Sequence, residues 1–253
     1  MNPSTALRVG VAAFFDIDGT LLPPPSLERQ FRRFLRWRGE LRARQQLRWF
    51  GHFLTTVWRD PLAATHGNKS HYADVRLETM QAWLAFLCRH PLPFFPQALD
   101  CMAWHVAHGH PIILVSGTVQ PLAHLVAESL RSRLGALTDA PIHLEVLATE
   151  LEARNGRFTG HLAGSAVSGA QKVRAVEALA ATRCLNLAES FAYGNSFLDR
   201  WILWRVGHPA AVNPSFLLEQ VARRCGWPVL HWREAGKPRT DSPRATDECL
   251  WAR

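Results

Sequence analysis

Two carboxylates one residue apart, Asp16 and Asp18, stand at the end of an unbroken apolar run from Val11 to Phe15, and Gly19 and Thr20 follow close behind. Acids in such a pair divide labour when their surroundings separate their pKa values: one stays ionised as nucleophile and metal ligand, the other passes a proton. The apolar run reads as a central parallel strand covered on both faces, and Gly19 lets the chain turn sharply where it ends. Ligands of open α/β sheets sit beyond the carboxyl ends of the strands, so both acids belong to the expected binding site. Taken alone, the pair reads equally well as a solvated turn. The chemistry depends on partners from the rest of the chain.

The elements that must position those partners can be read from periodicity. Pro23, Pro24 and Pro25 break regular structure, and Ser26 is a suitable N-cap for a helix starting at Leu27. From there to about Trp58, apolar residues recur at three- and four-residue steps with a break near Gly39, which predicts two helices. A third is predicted from about Tyr72 to Cys88, ended by Pro91 and Pro93. Residues 23–92 thus form a small helical cap inserted into a sheet domain made of 1–22 and 93–235. That domain continues with a helix from Pro96 to His108 closed by Gly109, a strand from His110 to Val115, a helix from Gln120 to Leu134 and a strand from Ile142 to Leu147. Asn155-Gly156 between alternating residues predicts a hairpin with a type I′ turn. A helix from Ala170 to Ala181, a strand over 191–193, a strand from His208 to Val212 and a helix from Ser215 to Cys225 complete a Rossmann-like α/β core with a parallel sheet. Residues 236–253 are polar and read as a poorly ordered tail.

The string DIDGTLL after a hydrophobic strand resembles the first motif, D-x-D-x-T-L, of the haloacid dehalogenase (HAD) superfamily of phosphohydrolases. The resemblance extends in order along the chain. ILVSGT carries a Ser after an apolar strand, SGAQKVRA carries Lys172 at a helix start, and Gly194-Asn195-Ser196-Phe197-Leu198-Asp199 has the form of the family's acidic motif G-D-S-x-x-D. The position of the cap between the first two motifs and the hairpin from Asn155 to Gly160 are similar to the phosphoserine-phosphatase-like subfamily IB, whose cap is of the C1 type. The resemblance implies a phosphatase with Asp16 as nucleophile, Asp18 as acid and base, and Ser116 and Lys172 as the other catalytic groups. It implies a phosphate site formed by Thr20, Ser116, Gly117 and Lys172, and a Mg²⁺ site formed by Asp16, Asp18, Asn195 and Asp199. Each residue also has a plain structural role open to it: Lys172 on a solvated helix, Ser116 and Asp199 as helix caps.

Two features depart from the family pattern. Asn195 replaces the usual carboxylate with an amide, which can coordinate Mg²⁺ but brings no full negative charge. The glutamate that holds the amine in the phosphoserine enzymes is displaced: Pro23 to Pro25 occupy its place, and Glu28 lies three residues further on. The expected substrate is therefore a small phosphorylated metabolite or lipid head group other than phosphoserine. The alternative is a fold retained for binding or regulation with turnover weakened or lost.

Composition supports a folded globular protein, with 47% apolar and 20% charged residues. The net charge of +8 is concentrated. Between Leu27 and Arg59 nine arginines (29, 32, 33, 36, 38, 42, 44, 48 and 59) face only Glu28 and Glu40. The arginines together with Trp37, Trp49 and Trp58 suit a second anionic group of the substrate or peripheral contact with an anionic membrane, although a core-packed helical face with a solvated arginine side explains them as well. No nucleic-acid-binding motif accompanies them. The five cysteines are scattered and read as packing thiols of a reducing compartment. No secretory signal and no apolar stretch long enough to span a membrane are visible, so a cytoplasmic location is expected. The twelve histidines lack metal-ligand spacing and read as structural or solvated.

Overall fold

The structure, a computed structural model, describes residues 10–41 and 69–236. The second predicted cap helix, Trp49, Trp58, the arginines from 42 to 59 and the tail from 237 lie outside the described residues.

The apolar run forms strand β1 (Ala13–Phe15) at the centre of a six-stranded sheet. On one side it pairs with β2 (Ile112–Val119), which pairs with β3 (Leu144–Thr149). On the other side it pairs with β6 (Phe191–Gly194), followed by β7 (His208–Val212) and β8 (Val229–Leu230). Every pairing in this sheet is parallel. Between them in sequence, β4 (Leu151–Arg154) and β5 (Arg157–Leu162) make a separate antiparallel hairpin. Its two turn residues, Asn155 and Gly156, have φ of 49° and 73°, the left-handed pair that a type I′ turn requires.

Alternation along β1 explains why both faces of the sheet are covered. Ala13 and Phe15 join a cluster with α3 (Pro96–Ala107) and α4 (Gln120–Gly135), while Ala12 and Phe14 join one with α5 (Ala170–Arg183), α6 (Arg200–Leu203) and α7 (Phe216–Cys225). This is the doubly wound arrangement, and the chain order reverses between β1 and β6. The loops after these two strands, carrying Asp16 and Asn195, therefore diverge around a crevice.

The described part of the cap begins with α1 (Leu27–Trp37), capped by Ser26, whose hydroxyl accepts the Arg29 N–H. A 3₁₀ turn (Ser70–Tyr72) leads to α2 (Leu77–Cys88), which starts later than the periodicity predicts because Asp74 adopts a positive φ and residues 74–77 bond to the hairpin. Asp74 N–H donates to the Phe158 carbonyl, Phe158 N–H to Val75, and Leu77 N–H to Gly156. Phe31, Tyr72 and Trp83 bury their rings against one another and extend the apolar cluster of the sheet face. Burial of these rings ties the cap to the core.

Two expectations need correction. Strand β2 does not stop at Val115 but runs to Val119 through an irregularity after Ser116, so the N-cap of α4 is Val119 and Ser116 caps nothing. The cysteines are not mainly packing residues: of the four described, only Cys101 is buried, and Cys88, Cys184 and Cys225 are exposed at helix ends. Among the described residues no helix is long and apolar enough to cross a membrane.

Candidate active site

The carboxyl ends of β1, β2 and β6, the start of α5 and the first turn of α1 enclose a cavity of about 280 Å³. Asp16, Asp18, Ser116, Gly117, Lys172, Asn195 and Asp199 all line it. Of the residues expected in the site, Thr20 alone stands behind the wall, fully buried, with its hydroxyl 3.4 Å from Asp16 Oδ2. That contact is too long for a strong hydrogen bond.

Lys172 is the electrostatic centre. Only 4% exposed, it places Nζ 2.7 Å from Asp16 Oδ1 and 2.6 Å from Asp199 Oδ1. Burial works against its charge, but the two carboxylates outweigh that and raise its pKa above the ordinary lysine value. It is therefore a fixed cation and not a solvated surface lysine. Burial likewise acts against ionised Asp199, yet Lys172 and the Ser196 donors hold its carboxyl below the usual range. Asp16 is pushed the other way: burial raises it, Lys172 pulls it back, and the neighbouring charges of Asp199 and Asp18 add to the rise.

Asp18 is held on both oxygens. Oδ1 accepts the Leu27 N–H at 2.9 Å, the first backbone donor of α1, and Oδ2 accepts the Thr118 hydroxyl at 2.5 Å. Burial raises its pKa while these two donors oppose the rise. Burial thus raises both acids of the pair, Asp16 to about 7, and the contact with Lys172 is what favours the ionised form of Asp16. Ser116, 2% exposed, accepts the Thr118 N–H with its hydroxyl at 3.2 Å, which orients the Ser116–Gly117–Thr118 segment along the cavity.

The loop after β6 is shaped by Asp199. Its Oδ2 accepts the N–H groups of Asn195 and Ser196 at 3.2 and 2.9 Å and the Ser196 hydroxyl at 2.8 Å, a capping box at the head of a 3₁₀ turn. With Oδ1 bound to Lys172, this carboxylate anchors the lysine and the loop. Asp199, expected as a metal ligand, has one oxygen on Lys172 and the other on three loop donors.

The remaining donors do suit Mg²⁺, which takes hard oxygen ligands and retains several waters. The Asp18 carbonyl and the Asn195 side-chain amide make no hydrogen bonds to described residues. The two loops touch: a Cβ added to Gly19, at φ +89°, would lie 1.9 Å from Asn195 Nδ2, so only glycine allows this approach. Asp16, the Asp18 carbonyl and Asn195 make a donor set with a single full negative charge. Among the described residues, no three carboxylate, imidazole or thiolate groups converge.

Lys69, His71 and Thr118 escaped the sequence reading, which named Glu28 only as a displaced acid and Arg29 and Arg32 only among the cap arginines. Glu28, Arg29 and Arg32 of α1, Lys69 and His71 form the cap side of the cavity. Glu28 reaches the site despite its displaced position, because the cap helix begins directly over Asp18. Thr118 lies inside the SGT string, and its contact with Asp18 could not be read while the strand was expected to end at Val115.

The model of the family described as haloacid dehalogenase-like hydrolase matches residues 13–203. Phosphoserine phosphatase SerB1 of Mycobacterium tuberculosis is 37% identical over 133 residues, covering 53% of this chain and 40% of that protein. The chain thus matches about two fifths of the length of that curated relative. A protein of unknown function from Bordetella pertussis superimposes with a TM-score of 0.68 at 27% identity, over 87% of this chain and 98% of that one. A phosphoserine phosphatase solved as a phospho-aspartyl intermediate analogue superimposes with a TM-score of 0.56 at 16% identity, over 84% of this chain and 91% of that one, a likeness of fold. With the family match running from β1 through α6 and every motif lining one cavity, this chain belongs to the haloacid dehalogenase-like hydrolases and has a phosphoserine-phosphatase-like fold.

Proposed function

We propose that the protein is a Mg²⁺-dependent phosphomonoester hydrolase that works through an aspartyl-phosphate on Asp16, with a small phosphorylated metabolite or lipid head group as substrate. The observation that carries this reading is the position of Asp16: one oxygen is fixed by Lys172 at 2.7 Å, the other has only the long Thr20 contact among the described residues, and Asp18 stands two residues away with both oxygens held by donors.

The chain's own groups supply the steps. An Asp16 oxygen attacks phosphorus, the bond from phosphorus to the leaving oxygen breaks, and Asp18 gives that oxygen its proton. A water then attacks the phosphorus of the aspartyl-phosphate, Asp18 takes the water's proton, and the bond to Asp16 breaks to release inorganic phosphate. Lys172, with the Ser116 hydroxyl and the backbone N–H groups that follow it, stabilises the transferring phosphoryl oxygens. Asp16, the Asp18 carbonyl and Asn195 would hold Mg²⁺, which when bound would supply positive charge to offset the phosphate and the nucleophile.

The test is phosphate release from an aryl phosphate with and without Mg²⁺, alongside Asp16→Asn. Mg²⁺-dependent release that disappears in the variant is expected. No release from any ester tried would favour the binding-module reading, which rests on Asn195.

A further inference from the structure

The cap side of the cavity carries a charge pattern that bears on what the leaving group must be. Among the described residues Glu28 is the one carboxylate there, and it is already engaged: Lys69 Nζ donates to Oε1 at 2.6 Å and to Oε2 at 2.7 Å, and the Val119 N–H donates to Oε1 at 2.9 Å. Lys69 is 5% exposed, so this pair is buried, fixed and weakly screened. Its function is to tie α1 and the residue before the 3₁₀ turn to the junction of β2 and α4. An ammonium group arriving at this wall would find the carboxylate neutralised and its best lone pairs occupied.

Arg29 and Arg32, one helical turn apart on α1, line the same cavity, and neither has an ion-pair or hydrogen-bonded side-chain partner among the described residues. With Glu28 and Lys69 cancelling, the described residues of the wall present two positive charges, facing a floor where Asp16, Asp18 and Asp199 stand against Lys172. Guanidinium groups in such a position bind carboxylate or phosphate by paired hydrogen bonds.

Resting on the phosphatase reading for the floor of the cavity, we infer that the cap wall is a second anion subsite: the substrate is a phosphomonoester whose leaving group carries a further carboxylate or phosphate and no ammonium group near it. Arg29 and Arg32 determine specificity, and the Glu28–Lys69 pair removes the acceptor an amine would need.

Non-hydrolysable phosphonates of matched length test this by calorimetry in Mg²⁺, independently of turnover. Propylphosphonate carries a neutral tail, 3-phosphonopropionate a carboxylate, and 3-aminopropylphosphonate an ammonium. The wild-type protein is expected to bind 3-phosphonopropionate about tenfold more tightly than propylphosphonate, the size of a charge-assisted pair, and 3-aminopropylphosphonate more weakly than either. Arg29→Gln with Arg32→Gln should erase that order, and Arg29→Lys with Arg32→Lys should keep it. Equal or tighter binding of the ammonium compound, survival of the preference in the glutamine variant, or binding of none of the three would overturn the inference. If esters are hydrolysed while the order is absent, the subsite falls and the phosphatase reading stands; if the order holds without any turnover, the reverse is true.

Discussion

The Thr118 hydroxyl donates to Asp18 Oδ2 at 2.5 Å, a bond that joins the end of β2 to the loop after β1 across one hundred residues of chain. It fixes the carboxyl assigned to proton transfer and opposes the rise in pKa that burial imposes. Thr118→Val should lower kcat by roughly 10- to 100-fold, the value of one hydrogen bond to a charged group, with a smaller change in KM. Because the lost donor had lowered the Asp18 pKa, the alkaline limb of the pH–rate profile should move to higher pH. Thr118→Ser should restore both. An unchanged profile in the valine variant would show that the contact is only structural.

Lys172→Met leaves Asp16 and Asp199 buried without their shared cation. A stability loss of about 3–5 kcal/mol is expected at pH 7 from urea unfolding. The sign with pH is definite: without the lysine both carboxyls have folded pKa values above the unfolded ones, so the folded state binds more protons and the deficit shrinks as pH falls toward 5. A deficit that stays constant with pH would mean that lost packing, not charge, is responsible.

His105 is fully buried, with Nδ1 3.0 Å from His110 Nδ1 and Nε2 2.9 Å from the Tyr193 hydroxyl. Burial first, then His110 and His108, lowers its pKa to about 3. The unfolded chain takes up this proton near the ordinary histidine value, so the contribution to stability is full above about pH 6.5 and is lost as pH falls from there toward 3. Unfolding free energy should decline by about 1.4 kcal/mol per pH unit from this residue between pH 6 and 4. His105→Gln should flatten the slope by about one proton; an identical slope would rule out His105 as its source.

Asn195→Asp adds a second full charge to the proposed Mg²⁺ site. Calorimetric titration should show Mg²⁺ bound at least about tenfold more tightly by the variant. Equal affinities would remove Asn195 from the ligand set.

Much of this architecture was legible because strong local signals agreed with one another. The apolar run before Asp16, Asn155-Gly156 at the hairpin and the His208–Val212 strand each had one reading that satisfied both periodicity and turn chemistry. The motif residues converge because parallel strands deliver their carboxyl ends to one edge. What stayed hidden depends on contacts between distant residues. The Glu28–Lys69 pair spans 41 positions, and the Thr118–Asp18 bond depends on β2 running past Ser116. The contact of Asp199 with Lys172 was hidden for the same reason, the two residues lying 27 positions apart. The two-residue strand β8, with Trp232 buried just beyond it, carries too short a pattern to be seen against the polar tail.

The covalent intermediate on Asp16 is the central claim and can be observed directly. Protein mixed with substrate and Mg²⁺ is quenched in acid within milliseconds to seconds, and its intact mass and peptides are measured. The account predicts the added mass of one phosphoryl group on the peptide containing Asp16, absent in Asp16→Asn and cleared in wild-type protein as substrate is exhausted. Turnover in Asp16→Asn, or a phosphoryl group found on another residue, would contradict it.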